Sequence, residues 1–160
     1  MIFVTIGTQL PFDRLIRALD EMAGDVGDDI FAQVGEGTYE PSNFQWCRYL
    51  TPQDFNAKVS SSKIIVSHAG IGSVLSAQRW GKPILIFPRL LSHAEHRNDH
   101  QLATLRALRG RKGIYACESI EELKETLREG NFSLPSPVGV SPANAELKNN
   151  LQNLFRNLAK

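Results

Sequence analysis

An open, mostly parallel α/β sheet with helices on both faces is the fold that this sequence predicts. Three observations lead there. Short β-branched runs alternate with helical patterns along most of the 160 residues. Each strand-like run ends in a loop of Gly, Ser, Thr, Asn or Pro before the next element begins. The composition, 42% hydrophobic and 22% charged, supplies one sizeable core in a chain of single-domain length.

The elements follow in order. Ile2 to Ile6 is rich in β-branched residues and stops at Gly7, as a buried strand does. From Pro11 to Ala23 the residues Phe12, Leu15, Ile16, Leu19 and Met22 recur at helical spacing, with Pro11 suited to a first turn. Asp29 to Val34 and Phe44 to Leu50 read as the second and third strands. Thr51-Pro52-Gln53-Asp54 is a helix start, with Thr51 as the cap and the helix running to about Ser60. Lys63 to Ser67 is the fourth strand, Gly70 to Trp80 a helix ended by Gly81, and Pro83 to Phe87 the fifth strand. Asn98 to Leu108 is helical and Gly113 to Cys117 a short sixth strand. Ser119 caps a helix through Glu129, with Glu122 completing a capping box. Gly130 to Val140 reads as an irregular crossing segment. From Pro142 the chain reads as a helix with Leu147, Leu151, Leu154, Phe155 and Leu158 in a narrow stripe. The division expected is a domain over residues 1–140 and an amphipathic, partner-docking helix over 141–160.

Composition also excludes. A net charge of +1 gives no bulk attraction for nucleic acid, while leaving room for a local anion site of backbone N–H groups. Cys47 and Cys117 lie apart in apolar stretches, so buried reduced thiols are expected rather than a disulfide framework or a CxxC metal site. The apolar start lacks a basic leader, and no run approaches the roughly 20 apolar residues of a membrane span. A cytoplasmic protein is expected, held at a membrane only by something else.

In open parallel sheets ligands bind beyond the carboxyl ends of the strands, so the residues just after each strand carry the functional argument. After the first strand, Gly7-Thr8-Gln9 is a tight polar loop; it is neither a P-loop nor a dinucleotide fingerprint. After the fourth, Ser67-His68-Ala69-Gly70-Ile71-Gly72-Ser73 runs a strand through two glycines into a helix. Glycines admit a ligand close to the backbone, and a helix start offers free N–H groups and a positive dipole, so a diphosphate is the natural guest. A tight turn with close helix packing explains the same glycines. After the fifth strand, the stretch from Pro88 to Gln101 holds three of the four histidines. It reads as a metal site of His93, Glu95, His96, Asp99 and His100, as a ring of polar groups for sugar hydroxyls, or as a solvated loop. Its spacing matches neither zinc-protease motif, and His96 and His100 share a face only if a helix has begun by His96.

Taken together, four pieces carry a resemblance: Phe3 to Asp13, Val66 to Ser73, Gly81-Lys82-Pro83, and Glu95 to Gln101. The chain resembles the glycosyltransferase family 28 C-terminal-domain family, and within it the short subunits of split enzymes. These are the PssE-type bacterial exopolysaccharide or capsule subunits and the catalytic subunit of the dolichol-pathway UDP-GlcNAc transferase. The resemblance implies the donor-binding half of a GT-B fold and an inverting hexosyl transfer. The donor is a UDP-sugar, and the acceptor is a sugar carried on a polyprenyl diphosphate lipid. No metal and no cofactor are expected, and a membrane-anchored partner subunit would bind the acceptor and recruit this chain to the cytoplasmic face of the membrane.

The resemblance also implies roles. Gly7, Thr8, Gln9, Gly70, Ile71, Gly72 and Ser73 face the donor diphosphate. Tyr49 and Leu50 grip the uracil. Glu95, His96, Asn98, Asp99, His100 and Gln101 lie at the donor sugar. One position departs: relatives place a ribose-binding acid three residues after Ser73, and here Ser76 stands there. The base comes from the partner, or from His68 or His93; a hydrogen-bonded structural imidazole is the competing role for His68. Arg89 and Arg97 near the sugar end weakly favour a carboxylated sugar. Rival readings are a non-catalytic UDP-sugar-binding regulatory subunit, a sugar-nucleotide epimerase, and a metal hydrolase.

Overall fold

The structure, a computed structural model, describes residues 1–136. Strands β1 (Ile2–Thr5), β2 (Ile30–Gln33), β3 (Gln45–Cys47), β4 (Ile64–His68), β5 (Ile84–Phe87) and β6 (Ile114–Ala116) form one parallel sheet in the order 3-2-1-4-5-6. Helices α1 (Asp13–Met22), α2 (Pro52–Ser61), α3 (Ile71–Arg79), α4 (His100–Leu108) and α5 (Ile120–Glu129) connect or follow them.

Alternation along each strand sends neighbouring side chains to opposite faces. Val4 and Val66 pack with Leu15, Ile16, Leu19, Leu123 and Leu127 beneath α1 and α5. Phe3 and Ile65 pack with Val59, Val74, Ala77, Leu105 and Leu108 beneath α2, α3 and α4. Both faces are therefore covered, as a parallel sheet requires. Helix α2 is the lightest anchor: Val59 is its one buried residue, and Phe55 adds an edge-on contact with Phe3 at 5.3 Å and 77°. Such a contact contributes about 1 kcal/mol beyond burial.

The caps read from sequence are made. Thr51 Oγ1 accepts from the Asp54 N–H at 3.1 Å, and Ser119 Oγ accepts from the Glu122 N–H at 3.2 Å. Glu122 reaches back one residue further than a capping box, accepting from the Glu118 N–H at 2.7 Å. Gly81 takes φ +62 after α3, a conformation that stops the helix and that a side chain resists.

Most boundaries differ by one residue, and three elements differ by two or more. Helix α1 starts at Asp13 rather than Pro11, because Phe12 turns out of the helix (φ −147) to bury its ring on Phe87. Helix α4 starts at His100 rather than Asn98, because Asn98 Oδ1 accepts the His100 N–H and turns the chain first. Strand β3 ends at Cys47, short of Leu50; the Arg48 carbonyl still takes the Gly35 N–H, while its side chain donates to the carbonyls of Gly35 and Gly37. Cys117 is buried, which pushes its thiol up to about 11, whereas Cys47 on the edge strand is half-buried. The helix and partner-docking surface expected over 141–160 lie outside the described residues. Among the described residues no helix is long and apolar enough to cross a membrane.

Strand order reverses between β1 and β4, the topological switch point of a doubly wound sheet. Their carboxyl ends leave a crevice there, with the loop after β1 on one side and the start of α3 on the other.

Candidate functional site

A cleft of about 410 Å³ opens at this crevice, between α2 and α3. Thr5, Gln33 and Ile65 line its floor, and Gly7 and Thr8 its rim. Leu50, Pro52, Phe55 and Asn56 form one wall, and Gly72, Ser73, Ser76 and Trp80 the other. A larger hollow, about 680 Å³, lies at the amino ends of β1 to β3 beside Met1, Asp29, Gln45 and Lys58. No α-helix start opens onto it, so the smaller cleft is the better site.

The cleft has an anion-binding corner. Gly70 caps α3 without a side-chain bond, so the N–H groups of Ile71 and Gly72, in the first turn, have no helix carbonyl in reach. A Cβ added to Gly72 would meet nothing within 4 Å, so that backbone is open to a ligand. The Gly7 loop closes the other side at φ +78, with Gly7 half-buried and Thr8 exposed.

His68 sits behind this corner. A Cβ on Gly70 would lie 2.1 Å from its Cε1, and one on Gly7 3.2 Å from its Nε2. The two glycines make room for the imidazole. Ser67 has one hydroxyl proton, which goes to the Thr5 carbonyl at 2.7 Å. The 3.0 Å bond between Ser67 and Ser73 therefore uses the Ser73 proton. Ser73 Oγ, 3.4 Å from His68 Nε2, is then left to accept from the ring. His68 Nδ1 is buried and has no partner among the described residues. Burial, with Arg89 and His96 nearby, pushes the His68 pKa down to about 4. The ring is neutral at pH 7 and a weak base, which suits a structural imidazole better than a general base.

The stretch after β5 is more tightly held than a solvated loop. Arg89, 3% exposed, donates to the carbonyls of Ile6 (2.7 Å) and Leu10 (2.6 Å) and stacks its guanidinium over Phe12. Burial lowers its pKa to about 10. This corrects the expectation that Arg89 meets a sugar carboxylate: it is a strut between the loops after β1 and β5. Arg97 is exposed.

Glu95 is held within the protein likewise. Both its oxygens take Arg14 at 2.8 Å, and Oε2 also takes the Leu90 N–H, so the carboxylate is committed within the protein. Gln101 is buried with Oε1 on the Arg89 N–H at 3.0 Å. Asp99 Oδ1 accepts from the Leu91 N–H, and His96 Nδ1 lies 3.1 Å from Asn98 Oδ1. His93 is exposed in a 3-10 turn, Leu91–His93. His96 precedes α4, so it and His100 do not share a helix face. Among the described residues no three His, Cys, Asp or Glu groups are placed to hold a metal ion.

Of the sequence-predicted residues, the cleft brings together Gly7, Thr8, Leu50, Gly72, Ser73 and Ser76. Gln9 is exposed outside its lining, and the Tyr49 hydroxyl turns away to donate to Glu36. Sequence reading missed Thr5, Gln33, Asn56 and Trp80. For Thr5 and Gln33 a signal existed: each is a polar residue at the carboxyl end of an otherwise apolar strand.

The sequence profile described as "Glycosyltransferase family 28 C-terminal domain" matches residues 1–155. The human protein "UDP-N-acetylglucosamine transferase subunit ALG13" (Homo sapiens) is 26% identical over 127 residues, which cover 72% of this chain and 11% of that protein. Among solved structures, the glycotransferase of kitacinnamycin superposes with a TM-score of 0.56 at 18% identity, over 97% of this chain and 39% of the other. The glycosyltransferase SnogD from Streptomyces nogalater gives 0.49 at 19% identity, over 91% and 42%. The chain thus spans about a tenth of the human relative and well under half of each solved chain. Its likeness to the kitacinnamycin glycotransferase shows the fold of one half of a GT-B glycosyltransferase.

Proposed function

The chain belongs to the glycosyltransferase family 28 C-terminal-domain family, and from that premise we propose that it binds the UDP-sugar donor of a split, inverting glycosyltransferase. The observation that carries this reading is the meeting of the Gly7–Thr8 loop and the open start of α3 at the mouth of one cleft. A diphosphate at that corner receives the N–H groups of Ile71 and Gly72 and the helix dipole. The same groups stabilise the charge that gathers on the leaving UDP as the anomeric bond breaks. Each donor of this kind contributes roughly two orders of magnitude in rate.

The nucleoside lies along the wall of Leu50, Pro52 and Phe55, with Ser76 at the ribose. The sugar extends toward the loop after β5, where His96, Asn98, Asp99 and His100 are its polar neighbours. The acceptor is a lipid-linked sugar of polyprenyl diphosphate type, in exopolysaccharide or capsule synthesis. It is presented by a membrane-anchored partner subunit, onto which residues 141–160 dock. The human relative, named as a UDP-N-acetylglucosamine transferase subunit, supports both the donor and the division of labour. His68 directs Nε2 at Ser73 and has Nδ1 buried, so neither ring nitrogen is offered to an acceptor hydroxyl. The base therefore comes from the partner, or from His93. The reaction draws on no metal and no cofactor.

Calorimetric titration of UDP into the purified chain, with and without EDTA, tests the proposal. Binding in the micromolar to millimolar range that ignores EDTA is expected. Absence of binding, in the chain and in its complex, refutes it. Deleting residues 146–160 is expected to abolish pairing and leave UDP binding unchanged.

A further inference from the structure

Gln33 is a carboxamide at the floor of the cleft, 5% exposed, with its oxygen engaged and its nitrogen free of any acceptor among the described residues. Its setting fixes which end faces the cleft. Thr5 lies opposite Gln33 in the β1–β2 register. The Gly7 N–H donates to Thr5 Oγ1 at 3.5 Å, and the Thr5 hydroxyl donates to Gln33 Oε1 at 3.2 Å. With the amide oxygen held toward Thr5, the NH2 is the group left for a ligand. Beside it stands the apolar wall of Leu50, Pro52 and Phe55. A lone buried donor next to an apolar surface suits a flat base that packs on the wall and presents an oxygen at its edge.

We propose that the Thr5–Gln33 pair reads the edge of the nucleotide base and selects a pyrimidine with a carbonyl oxygen where cytosine carries an amine. This rests on the cleft being the nucleotide site. A freely turning carboxamide pairs equally well with uracil, acceptor beside donor, and with cytosine, donor beside acceptor. Thr5 biases the choice: among the described residues its hydroxyl proton has Gln33 Oε1 as its acceptor, so turning the amide would leave that proton without one. A held NH2 donates to the O4 of uracil or thymine and meets the N4 amine of cytosine donor to donor, leaving both unsatisfied in a buried place. Gln33 is thus a specificity-determining residue, and Thr5 a positioning residue that acts through it.

The test is titration of UDP and of CDP into the full chain, wild type and Gln33→Met, Thr5→Val and the double variant T5V/Q33M. The wild type is expected to favour UDP by roughly 10-fold or more. Q33M should weaken UDP about 10-fold and change CDP by less than about 3-fold, so the preference collapses. T5V should keep most of the UDP affinity and gain affinity for CDP, because the amide is then free to turn. A purely structural role would weaken both nucleotides alike. T5V/Q33M removes both polar partners together, so it stays folded if Q33M alone does not, and it too should bind without preference. A preference that survives in Q33M or in the double variant overturns the proposal and leaves the nucleotide site standing. Failure of the wild type to bind either nucleotide overturns the nucleotide site and this proposal with it.

Discussion

Gly70 and His68 occupy one space: the imidazole fills the volume that a side chain at position 70 would need, its Cε1 lying 2.1 Å from where a Cβ would stand. Gly70 has an ordinary backbone conformation, so the requirement for glycine there comes from the ring and not from φ. Gly70→Ala should therefore destabilise the chain by about 1–3 kcal/mol through overpacking. Adding His68→Ala should recover part of that loss, with a coupling above about 1 kcal/mol in a denaturant-melt cycle. Additive losses would mean that the two residues do not share the space.

His68 also sets a pH dependence. Its folded pKa, about 4, lies below the ordinary value of 6.5, so the unfolded chain binds the extra proton first. The stability it contributes is fully present above pH 6.5 and is lost as pH falls toward 4. The loss amounts to about 3 kcal/mol. Melts of the wild type and His68→Gln from pH 7.5 to 4 should converge as the pH drops, because only the wild type loses this part. A constant difference between them would contradict the burial of a neutral ring.

Arg89 joins two loops that both reach the site. Arg89→Met should cost about 1–3 kcal/mol, since it leaves the buried Ile6 carbonyl without its donor and releases the part-buried Leu10 carbonyl. Arg89→Lys should recover part of that, because both bonds come from the one nitrogen Nη2 and an ammonium also has several donors, while the planar stacking over Phe12 is lost. UDP affinity should fall in both variants, as the rim residues Gly7 and Thr8 lose their support. Unchanged denaturant midpoints would remove Arg89 from this role.

Gly72 gives the converse case. Nothing lies within 4 Å of a Cβ there, so Gly72→Ala should keep or slightly raise the melting temperature, alanine being the better helix former by about 1 kcal/mol. Its UDP affinity should nevertheless fall by roughly 10-fold, because the methyl group stands where a diphosphate approaches the α3 N–H groups. Stability and affinity that drop together would instead indicate a packing role.

The strands, the caps at Thr51 and Ser119, and the glycine-bounded start of α3 were legible because local chemistry specifies them. Periodicity, a hydroxyl three residues before a free N–H, and two close glycines need no distant partner. The roles of Glu95 and Arg89 were not legible in this way. A polar loop rich in charge reads as solvent-facing, and only the fold shows that Arg14 arrives from α1 to meet Glu95 and that the Ile6 carbonyl waits for Arg89. Asp20 was hidden for the same reason. It is a carboxylate on the buried side of α1 that holds the Tyr39 hydroxyl and the N–H groups of Ser42 and Asn43. Burial raises its pKa, but those hydrogen bonds together outweigh burial and lower it.

Arg89 grips main-chain oxygens on the loop after β1, not side chains. Thr8 and Gln9, both exposed, therefore have no part in keeping that loop in place. Their identities can drift through substitution while the path of the chain stays the same. Variation at residue 8, on the rim of the cleft, is therefore a route to altered ligand preference that does not risk the fold.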